Sequence, residues 1–531
     1  MAKKMLPAAA NELLSALLHT GTTAPGRPPR AARSSPSVVH RCAPPAARLA
    51  GAGTTLVVDV DGALLLSRRS LFFAYFMLVA LEAGSFLRGL ALLLLYPAIA
   101  LLGAFCGLRV GTFRAGRAVL PRWLLEDVAA EALEAARRAG DPARVVWASA
   151  MPRVMVEPFL REYLQVPAAA AVAAREMKTV WGFYTGLMDY CAATSSVLTK
   201  NAAAGGGVDD VVGFSAGGSM AEFLRSPLAS ICKELYVASP EEQSKWRRLP
   251  RRDYPNPLVF HDGRLAFLPT PLGAVVMFMW LPLGAVLSVA RLAVAMALPY
   301  RYATALLAAT GKSWRLRGAL PLDSCGASGQ LYACNHRTLI DPVYVSIALD
   351  RQVRAVSYSL SRVSDMLSPI GRTVHLARDR ARDGAAMARL LGRGDSVVVC
   401  PEGTTCREPY LLRFSPLFAE LGGERGVVPV ALAVENSMFY GTTASGWKGV
   451  DPFYYLSNPR MCYTVEFLGR VDTATVGEGK AASTDVANRV QRLIAAALGY
   501  ECTMLTRKDR YLMLVGNDGA VAAPPPRRQV R

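Results

Sequence analysis

The stretch that determines the fold is QLYACNHRTLIDPVY, residues 330–344, where a short apolar run leads into a histidine and then an aspartate. On one continuous helix, positions five apart point about 140° away from each other, so His336 and Asp341 would not meet. The run QLYAC predicts a strand, and Asp341-Pro342 is typical of a helix N-cap followed by proline at the first helical position. A strand-to-helix turn then brings Asp341 within reach of the His336 ring.

This pair of side chains has a chemical interpretation. An aspartate on one imidazole nitrogen fixes the tautomer and leaves the other nitrogen to take a proton from a hydroxyl. The pattern therefore predicts general-base catalysis with a substrate alcohol as the nucleophile. The alternative is a structural histidine satisfied by a nearby aspartate, and the motif alone does not separate the two.

A second polar stretch follows another apolar run, in VVVCPEGTTCREPYLLRF, residues 397–414. Here the predicted strand ends before Glu402 and Gly403, and Arg407 follows. Gly403 permits a close backbone approach, and Arg407 has the planar fork that holds a phosphate through two parallel hydrogen bonds. These residues are candidates for binding a phosphorylated substrate.

A third stretch, GRTVHLARDRARD at 371–383, places Arg378 and Arg380 after a short predicted strand. They are further candidates for holding an anion. The alternative is a surface ion-pair network, because Asp379 and Asp383 are their neighbours. From 310 to 500, short β-rich runs alternate with helical patterns, which indicates an α/β domain.

Size and charge restrict the class of protein. A chain of 531 residues predicts roughly two to four structural units. A net charge of +19 indicates an anionic partner, either lipid headgroups or a phosphorylated substrate. Nucleic acid is disfavoured, because no recognised nucleic-acid-binding motif is present and the basic residues are scattered. The 10 cysteines are dispersed without a metal-binding spacing, so reduced thiols are expected.

The hydrophobic content of 52% is concentrated in two stretches and predicts attachment to a membrane. Gly89–Leu108 carries no charge and, with the apolar run 71–81, predicts a membrane hairpin at about 71–108. A buried pair of core helices is the alternative. A second apolar segment at about 265–290, within a linker region 246–309, is predicted to be embedded in the membrane.

The two ends of the chain are polar. Residues 1–53 form a basic leader that is predicted to be disordered, although its composition also resembles an organelle transit peptide. Residues 501–531 form a C-terminal tail that ends in a proline-rich segment.

Taken together, NHRTLID, VHLARDR, PEGTTCREP and VVPVAL (427–432) resemble the four sequence blocks of the glycerolipid acyltransferase superfamily. The stretches RVMVEPFL (153–160), SICKE (230–234), PLVFHDGRLAF (257–267) and TRKDRYLMLVGNDG (506–519) look like those of the land-plant, membrane-bound sn-2 glycerol-3-phosphate acyltransferases. This resemblance runs from about residue 54 to about residue 519 and identifies the chain as a member of that family.

The resemblance implies an enzyme that moves a fatty acyl group from acyl-CoA to the sn-2 hydroxyl of glycerol-3-phosphate and forms lysophosphatidic acid. His336 would be the base and Asp341 its orienting partner, and no metal or other cofactor is implied. The residues that would bind glycerol-3-phosphate are Arg378, Glu402, Gly403 and Arg407. The family further implies the endoplasmic reticulum membrane, with a cytosolic active site, and a role in cutin, suberin or pollen-wall polyester. The basic leader leaves a mitochondrial membrane open.

A second potential site lies nearer the N-terminus. TTLVVDVDGALLLS (54–67) resembles the first motif of haloacid-dehalogenase-type phosphatases, with Asp59 and Asp61 as the paired acids and Ser149 as a later hydroxyl. Ala63 replaces the usual threonine. GFSAGGSMAEFLRSPLA (213–229) contains only one acid, Glu222, where active relatives supply magnesium ligands, so no bound magnesium is expected.

Residues 54–245 are therefore predicted to form a degenerate phosphatase domain, kept for structure, membrane attachment or substrate presentation. The alternatives are a bifunctional enzyme that releases 2-monoacylglycerol, acylation of lysophosphatidic acid instead of glycerol-3-phosphate, and a non-catalytic membrane scaffold. The acceptor used and the phosphate content of the product distinguish them.

Overall fold

The structure of the protein is a computed structural model. The residues that it describes are 38–45, 54–66, 70–96, 98–189, 211–216, 232–321, 329–357, 373–377, 379–446, 448–473 and 480–517. They form two mixed seven-stranded sheets with surrounding helices and one small two-stranded sheet, which confirms the predicted α/β class. Arg378 and Glu222 lie outside the described residues.

The first sheet has the strand order β1-β7-β6-β2-β3-β4-β5. All neighbouring strands are parallel except β4 and β5, which pair as an antiparallel hairpin. β2 is fully buried, as expected for a central strand of a sheet that is covered on both faces. The strands are β1 (Val38–His40), β2 (Thr55–Asp59), β3 (Val145–Pro152), β4 (Ala171–Val180), β5 (Phe183–Asp189), β6 (Val211–Ala216) and β7 (Glu234–Ala238).

The second sheet has the order β11-β10-β12-β9-β14-β15-β8, and only β14 and β15 pair antiparallel. The central strand β9 pairs in parallel with β12 on one side and with β14 on the other. The strands are β8 (Lys312–Arg317), β9 (Leu331–Cys334), β10 (Arg354–Ser357), β11 (Val374–His375), β12 (Val397–Val399), β13 (Tyr410–Leu411), β14 (Val427–Asn436), β15 (Met461–Phe467) and β16 (Glu501–Cys502), of which β13 and β16 form the small sheet.

Fourteen α-helices of the described residues surround these sheets. They are α1 (Ser70–Val79), α2 (Phe86–Leu95), α3 (Ala100–Phe105), α4 (Leu120–Leu125), α5 (Ala130–Arg138), α6 (Arg153–Pro158), α7 (Pro240–Ser244), α8 (Pro271–Ala297), α9 (Tyr300–Ala309), α10 (Asp341–Leu349), α11 (Arg380–Gly392), α12 (Asp451–Ser457), α13 (Lys480–Leu498) and α14 (Arg507–Val515).

The alternating side chains of β9 pack against helices on both faces of the second sheet. Leu331 and Ala333 pack in a core with residues of α13, whereas Tyr332 and Cys334 pack in a core with residues of α10. Successive side chains of a strand point to opposite faces, so a continuous apolar run buries both. β9 is the central strand of the sheet. Open α/β sheets bind ligands at the carboxyl ends of such strands, so the residues that follow Cys334 are well placed for a site.

The leader predicted to be disordered contains an ordered strand. β1 pairs in parallel with β7, with Val38 opposite Glu234 and His40 opposite Tyr236. The rings of His40 and Tyr236 stack at a centroid distance of 4.6 Å. The prediction of disorder for 1–53 is wrong at these residues, because this edge of the sheet supplies hydrogen-bonding partners that local composition does not indicate.

The first apolar stretch also differs from the predicted hairpin. Its residues form the short helices α1, α2 and α3, and α1 is buried from Phe73 to Val79 in the core of the first domain. The ten residues of α2 reach only about 15 Å, half of a hydrocarbon core of about 30 Å. For α1 the structure has the buried core helix that was the alternative, whereas α2 exposes Leu87, Leu94 and Leu95.

The second apolar stretch forms one long helix, α8. Among the described residues it is the one helix that is long and apolar enough to cross a membrane, by length and composition. One of its faces packs on α12, where Ser288 donates to the Phe453 carbonyl and Trp280 donates to the Ser457 carbonyl. Its other face exposes large apolar side chains, among them Met279 at 76% and Leu283 at 58%.

A connecting segment, residues 257–267, contacts both domains. Glu82 of the first domain accepts hydrogen bonds from the amides of Arg264 and Leu265, at 2.7 and 3.0 Å. On the other side, Asp262 accepts from the amides of Ala444 and Ser445, at 2.8 and 2.9 Å. The two domains are therefore joined through buried polar groups and not only through a flexible linker.

Candidate active site

The central feature of the second domain is the turn between β9 and α10. His336 Nδ1 lies 2.8 Å from Asp341 Oδ2, so the sequence prediction that a turn brings these two side chains together is what the structure shows. α10 begins at Asp341 itself, with Ile340 as the N-cap, one residue earlier than the sequence suggested. The carboxylate therefore points back into the turn that precedes its helix and does not cap the next turn.

Asp341 is held in place by several donors besides His336. The Arg337 and Thr338 amides donate to it at 2.6 and 2.9 Å, and the Thr338 hydroxyl donates at 2.9 Å. The Tyr463 hydroxyl from β15 also donates to this carboxylate. Burial raises the pKa of Tyr463 well above 10, which keeps it a donor. Sequence reasoning missed Tyr463, because nothing in its local stretch marks it.

The ionisation of His336 reflects opposing effects. Burial of the ring lowers its pKa, but Cys400 and Asp341 outweigh this effect and hold the pKa well above 6.5. The hydrogen bond with Cys334, together with burial, raises the pKa of the Cys400 thiol well above 9, so Cys400 is neutral at pH 7. Asp341 is thus the anionic neighbour that favours the imidazolium.

Two cysteines lie at the same end of the second sheet as this histidine, and a ligand atom of Cys400 is within 4.8 Å of one of His336. Cys334 ends β9, Cys400 follows β12, and their sulfur atoms are 3.5 Å apart. Cys334 is buried and Cys400 is half-buried. Neither was singled out from the sequence, where 66 positions separate them. The pairing of β9 with β12 in parallel register is what brings them together.

Glu402, predicted to face the substrate, points inward and is only 3% exposed. One carboxylate oxygen accepts from the His336 amide at 2.8 Å and the other accepts from the Leu412 amide at 3.0 Å. Burial raises its pKa to about 7, although these two amides oppose the shift. The neighbouring Gly403 has a φ of +68°, a conformation that favours glycine.

A cleft of about 160 Å³ opens next to the His336–Asp341 turn. It is lined by Arg337, Thr338, Arg407, Val434, Asn436, Tyr440, Gly441 and Thr442. Three buried polar atoms of these residues have no hydrogen-bond partner within the described part of the chain, namely Arg337 Nε, Arg407 Nε and Asn436 Oδ1. Because buried polar groups are nearly always paired, such atoms suit a polar ligand.

The two arginines of the cleft differ in their surroundings. Arg407 donates to the Gly263 carbonyl at 2.6 Å and lies 3.4 Å from the Asp262 carboxylate, so its charge is compensated. Arg337 donates to the carbonyls of Cys406 and Glu408, at 2.6 and 2.8 Å. In the described structure no carboxylate forms an ion pair with Arg337. Sequence reasoning assigned the anion to Arg378 and Arg407 and overlooked Arg337, which directly follows His336.

The residues of the predicted phosphatase-like site also lie together. The Ser149 hydroxyl donates to Asp61 at 2.7 Å, and the Asp61 and Gly62 amides donate to Asp59 at 3.2 Å. A further residue, Ser215 at the end of β6, donates to the second Asp59 oxygen at 2.6 Å. Ser215 belongs to the stretch 213–229, which contains only one acid, Glu222.

These residues do not fit a magnesium ion. Both oxygens of Asp59 accept hydrogen bonds from protein donors. The oxygens of Asp61 accept from the Ser149 hydroxyl and the Ala150 amide. A magnesium ion requires several free oxygen ligands in near-octahedral geometry. Among the described residues, this site offers only two carboxylates, which are fewer oxygen ligands than a magnesium ion requires.

Comparison with known proteins places both halves of the chain. Residues 55–238 match the model of a glycerol-3-phosphate acyltransferase RAM2-like, HAD-like domain, and residues 319–433 match an acyltransferase domain. Fold and site therefore define the class of the protein as an acyltransferase that carries a haloacid-dehalogenase-like domain ahead of its catalytic domain.

The relatives of the whole chain are plant proteins. It is 44% identical over 489 residues to probable glycerol-3-phosphate acyltransferase 3 of Arabidopsis thaliana, which covers 88% of this chain and 91% of that one. It is 44% identical over 495 residues to glycerol-3-phosphate acyltransferase 1 of Arabidopsis thaliana, covering 88% and 82%. It is 40% identical over 489 residues to glycerol-3-phosphate acyltransferase RAM2 of Petunia hybrida, covering 88% and 98%. The chain belongs to the plant glycerol-3-phosphate acyltransferase family.

Proposed function

We propose that this acyltransferase moves an acyl group from acyl-CoA to the sn-2 hydroxyl of glycerol-3-phosphate and releases lysophosphatidic acid. The observation that carries the proposal is the His336–Asp341 pair, joined at 2.8 Å beside a cleft lined by Arg337 and Arg407. A base next to fixed positive charge suits an alcohol that carries a phosphate. The names of the plant relatives support the same substrate.

In the proposed reaction, His336 takes the proton of the acceptor hydroxyl as its oxygen attacks the thioester carbonyl. The carbon–sulfur bond breaks, the ester bond forms, and the proton passes from His336 to the coenzyme A thiolate. Asp341 holds Nδ1, so Nε2 is the nitrogen that faces the hydroxyl. The chemistry uses no redox step, because the thioester is already activated.

The acceptor phosphate is proposed to bind near Arg337, with which no carboxylate of the described structure forms an ion pair. Arg407 adds positive potential, but its hydrogen bonds to the Gly263 and Thr442 carbonyls and its ion pair with Asp262 make it mainly a structural residue. Glu402 is proposed to position His336 through the backbone and not to bind the substrate, because both of its oxygens face amides. Arg378 remains a proposed phosphate ligand on family resemblance alone.

The protein is proposed to act at a membrane, with the exposed face of α8 in contact with lipid. The apolar side chains of that face have no protein cover among the described residues, and an acyl-CoA donor and an acylated product both favour a lipid surface. The endoplasmic reticulum, a cytosolic active site and a role in extracellular polyester stay proposals drawn from family resemblance.

The product is proposed to keep its phosphate. Ser149 and Ser215 occupy the carboxylates of Asp61 and Asp59, where a working phosphatase would need room for a metal ion and a phosphoryl group. The alternative product, 2-monoacylglycerol, would require residues outside the described part of the chain, such as Glu222, to complete that site.

The decisive experiment incubates purified protein with glycerol-3-phosphate or lysophosphatidic acid and a panel of acyl-CoAs. Products are resolved by acyl position and by phosphate content. We expect sn-2 lysophosphatidic acid from wild-type protein and a loss of at least about 100-fold in turnover for His336→Ala. Undiminished turnover in that variant, or acylation of lysophosphatidic acid alone, would refute the proposal.

A further inference from the structure

The described structure contains a cluster of metal-binding atoms at the proposed catalytic base. The ligand atoms of His336, Asp341 and Cys400 all lie within 4.8 Å of one another. Cys334 adds a second sulfur, 3.5 Å from that of Cys400. In acyl transfer as proposed above the imidazole moves the proton, and neither thiol takes or gives one.

The spacing of the two sulfurs suits a shared metal ion. In a tetrahedral zinc site with zinc–sulfur bonds of about 2.3 Å, two sulfur ligands lie about 3.8 Å apart. The observed 3.5 Å is close to that value. A disulfide requires about 2.05 Å between the sulfurs and would need a much larger movement of the ends of β9 and β12.

The imidazole already has the hydrogen bond that metal-binding histidines use. Such histidines usually donate their second ring N–H to a carboxylate, which fixes the tautomer and the ring orientation. Asp341 takes this position at Nδ1, at 2.8 Å, and is itself held by four further protein donors. Nε2 is thereby the ring nitrogen available to a metal, and it is also the nitrogen that the proposed reaction needs.

We infer that His336 and Cys400, whose ligand atoms lie within 4.8 Å of each other, form with the adjacent thiol of Cys334 an inhibitory site for a thiophilic divalent cation, of which zinc is the best fit. Zinc prefers thiolate and imidazole donors, whereas magnesium prefers oxygen. Binding displaces the two thiol protons to solvent and occupies Nε2 of His336, so the base can no longer accept the proton of an alcohol. The inhibitory effect rests on the proposed function, whereas the site itself rests on the donor geometry alone.

Cobalt(II) binding to the full-length protein in detergent tests the site without any activity measurement. Cobalt occupies tetrahedral zinc sites and gives a thiolate-to-metal charge-transfer absorption that is absent with oxygen ligands. We expect this band in wild-type protein, its loss on adding zinc, and its loss in Cys334→Ser/Cys400→Ser. If wild-type protein shows no thiolate–cobalt band under reducing conditions, the inference is wrong, whatever the acyltransferase assay gives.

Inhibition is measured from initial rates in a thiol-free phosphine reductant, before released coenzyme A accumulates and binds zinc. Zinc should inhibit the wild type, and a chelator should restore the rate, whereas magnesium should not inhibit. Each cysteine-to-serine variant should raise the half-inhibitory zinc concentration at least about tenfold relative to its own uninhibited rate, equal to a loss of about 1.4 kcal/mol in binding.

The matched control is Cys502→Ser, which removes an exposed thiol on β16 and should leave both the rate and the zinc sensitivity unchanged. Equal zinc sensitivity in wild type, Cys334→Ser and Cys400→Ser would overturn the inference. So would inhibition that a reductant reverses and a chelator does not, because that result indicates oxidation of the thiols. If a cysteine variant fails to fold, the cobalt spectrum of the wild type still decides.

Discussion

At the scale of single residues, the site depends on how burial and hydrogen bonding set the proton affinity of one imidazole. Burial alone would keep His336 neutral, whereas Cys400 and Asp341 raise its pKa above 6.5. A general base works in its unprotonated form, so the proposed mechanism couples activity to pH. The buried carboxylate of Asp341 thus has a cost, because it favours the form that cannot accept a proton, and a benefit, because it fixes the tautomer.

The pH dependence of turnover tests this balance. Because the pKa of His336 is raised, turnover should increase as the pH rises through a value above 6.5. Asp341→Asn removes the negative charge, so the rising limb should move to lower pH. Its plateau should fall by about 10² to 10⁴, since an amide does not fix the productive tautomer. Rates measured from about pH 5.5 to about pH 9 cover the rising limb of the wild type and that of Asp341→Asn.

The control for this profile is Asp350→Asn, at the exposed end of the same helix. Asp350 has a φ of +54°, which asparagine also tolerates, so the helix end should keep its conformation. Its pH profile should match that of wild type. A rising limb in Asp341→Asn that stays in place, or moves to higher pH, would contradict the assignment of Asp341 as the neighbour that raises the pKa of His336.

Glu402 offers a second test at this scale. Glu402→Ala leaves the His336 and Leu412 amides without their acceptor. We expect the free energy of unfolding to fall by about 2–6 kcal/mol, from about 1–3 kcal/mol for each buried donor. Turnover should fall while the apparent KM for glycerol-3-phosphate changes little, because the carboxylate does not line the cleft. Glu402→Gln keeps one acceptor oxygen and should lose less.

Thermal unfolding in detergent and steady-state kinetics measure these two effects. Glu420→Ala is the control, because Glu420 is exposed and its ion pair with Arg380 lies on the surface, where it contributes little. A rise in KM with unchanged turnover in Glu402→Ala would show that Glu402 binds the substrate directly, as family resemblance implied.

At the scale of elements, α8 combines two environments along one helix. Gly284 and Ser288 pack on α12, and Arg291 is 1% exposed, with its guanidinium donating to the Asn458 carbonyl at 2.7 Å. The opposite face is apolar and exposed. A helix that spanned the membrane by itself would not need Arg291 to be satisfied by the neighbouring domain. The proposed arrangement is a helix fixed to the domain by one face and immersed in lipid by the other.

Charged substitutions on the exposed face test this arrangement. Met279→Arg and Leu283→Arg, one turn apart, should weaken flotation of the protein with vesicles by at least about tenfold. An arginine in a hydrocarbon core costs roughly 2.5–3.5 kcal/mol on the insertion scale. Leu493→Arg, on the partly exposed surface of α13, is the matched control and should float as wild type does. Unchanged flotation of both α8 variants would contradict lipid contact by α8.

At the scale of the whole molecule, the two domains share a polar interface built on residues 257–267. The Glu82 carboxylate of the first domain caps the amides of Arg264 and Leu265, while Arg407 of the second domain donates to the Gly263 carbonyl. The first domain thereby supports the residues that line the cleft. This contact gives the phosphatase-like domain a structural role that does not depend on phosphatase activity.

The products formed by Asp59→Asn test whether the first domain has any catalytic role. Since the carboxylates of Asp59 and Asp61 are engaged by protein donors, wild type should release lysophosphatidic acid, and a magnesium chelator should not change the product. Asp59→Asn should leave the ratio of phosphorylated to dephosphorylated product unaltered. A wild-type product that is mainly 2-monoacylglycerol, and that changes to lysophosphatidic acid in Asp59→Asn, would show an active phosphatase.

Features whose interacting residues are close in the chain could be predicted without the structure. His336 and Asp341 are five positions apart, and a strand followed by a proline-containing helix start leaves few ways to connect them, so their contact was predictable. The alternation of apolar strands and helices determined the α/β class in the same way. The paired acids of the first domain were also recognisable, because Asp59 and Asp61 lie in one short motif at the end of a buried strand.

Features whose interacting residues are distant in the chain depend on the three-dimensional fold. Glu402 faces inward because the His336 amide, 66 positions away, needs an acceptor. Arg407 binds the Gly263 carbonyl, 144 positions away, and the thiols of Cys334 and Cys400 meet only because their strands pair in register. The apolar residues of α1 and α8 look alike in sequence, yet α1 is buried whereas α8 exposes one of its faces. Hydropathy measures the preference to leave water, and the fold determines whether protein or lipid replaces that water.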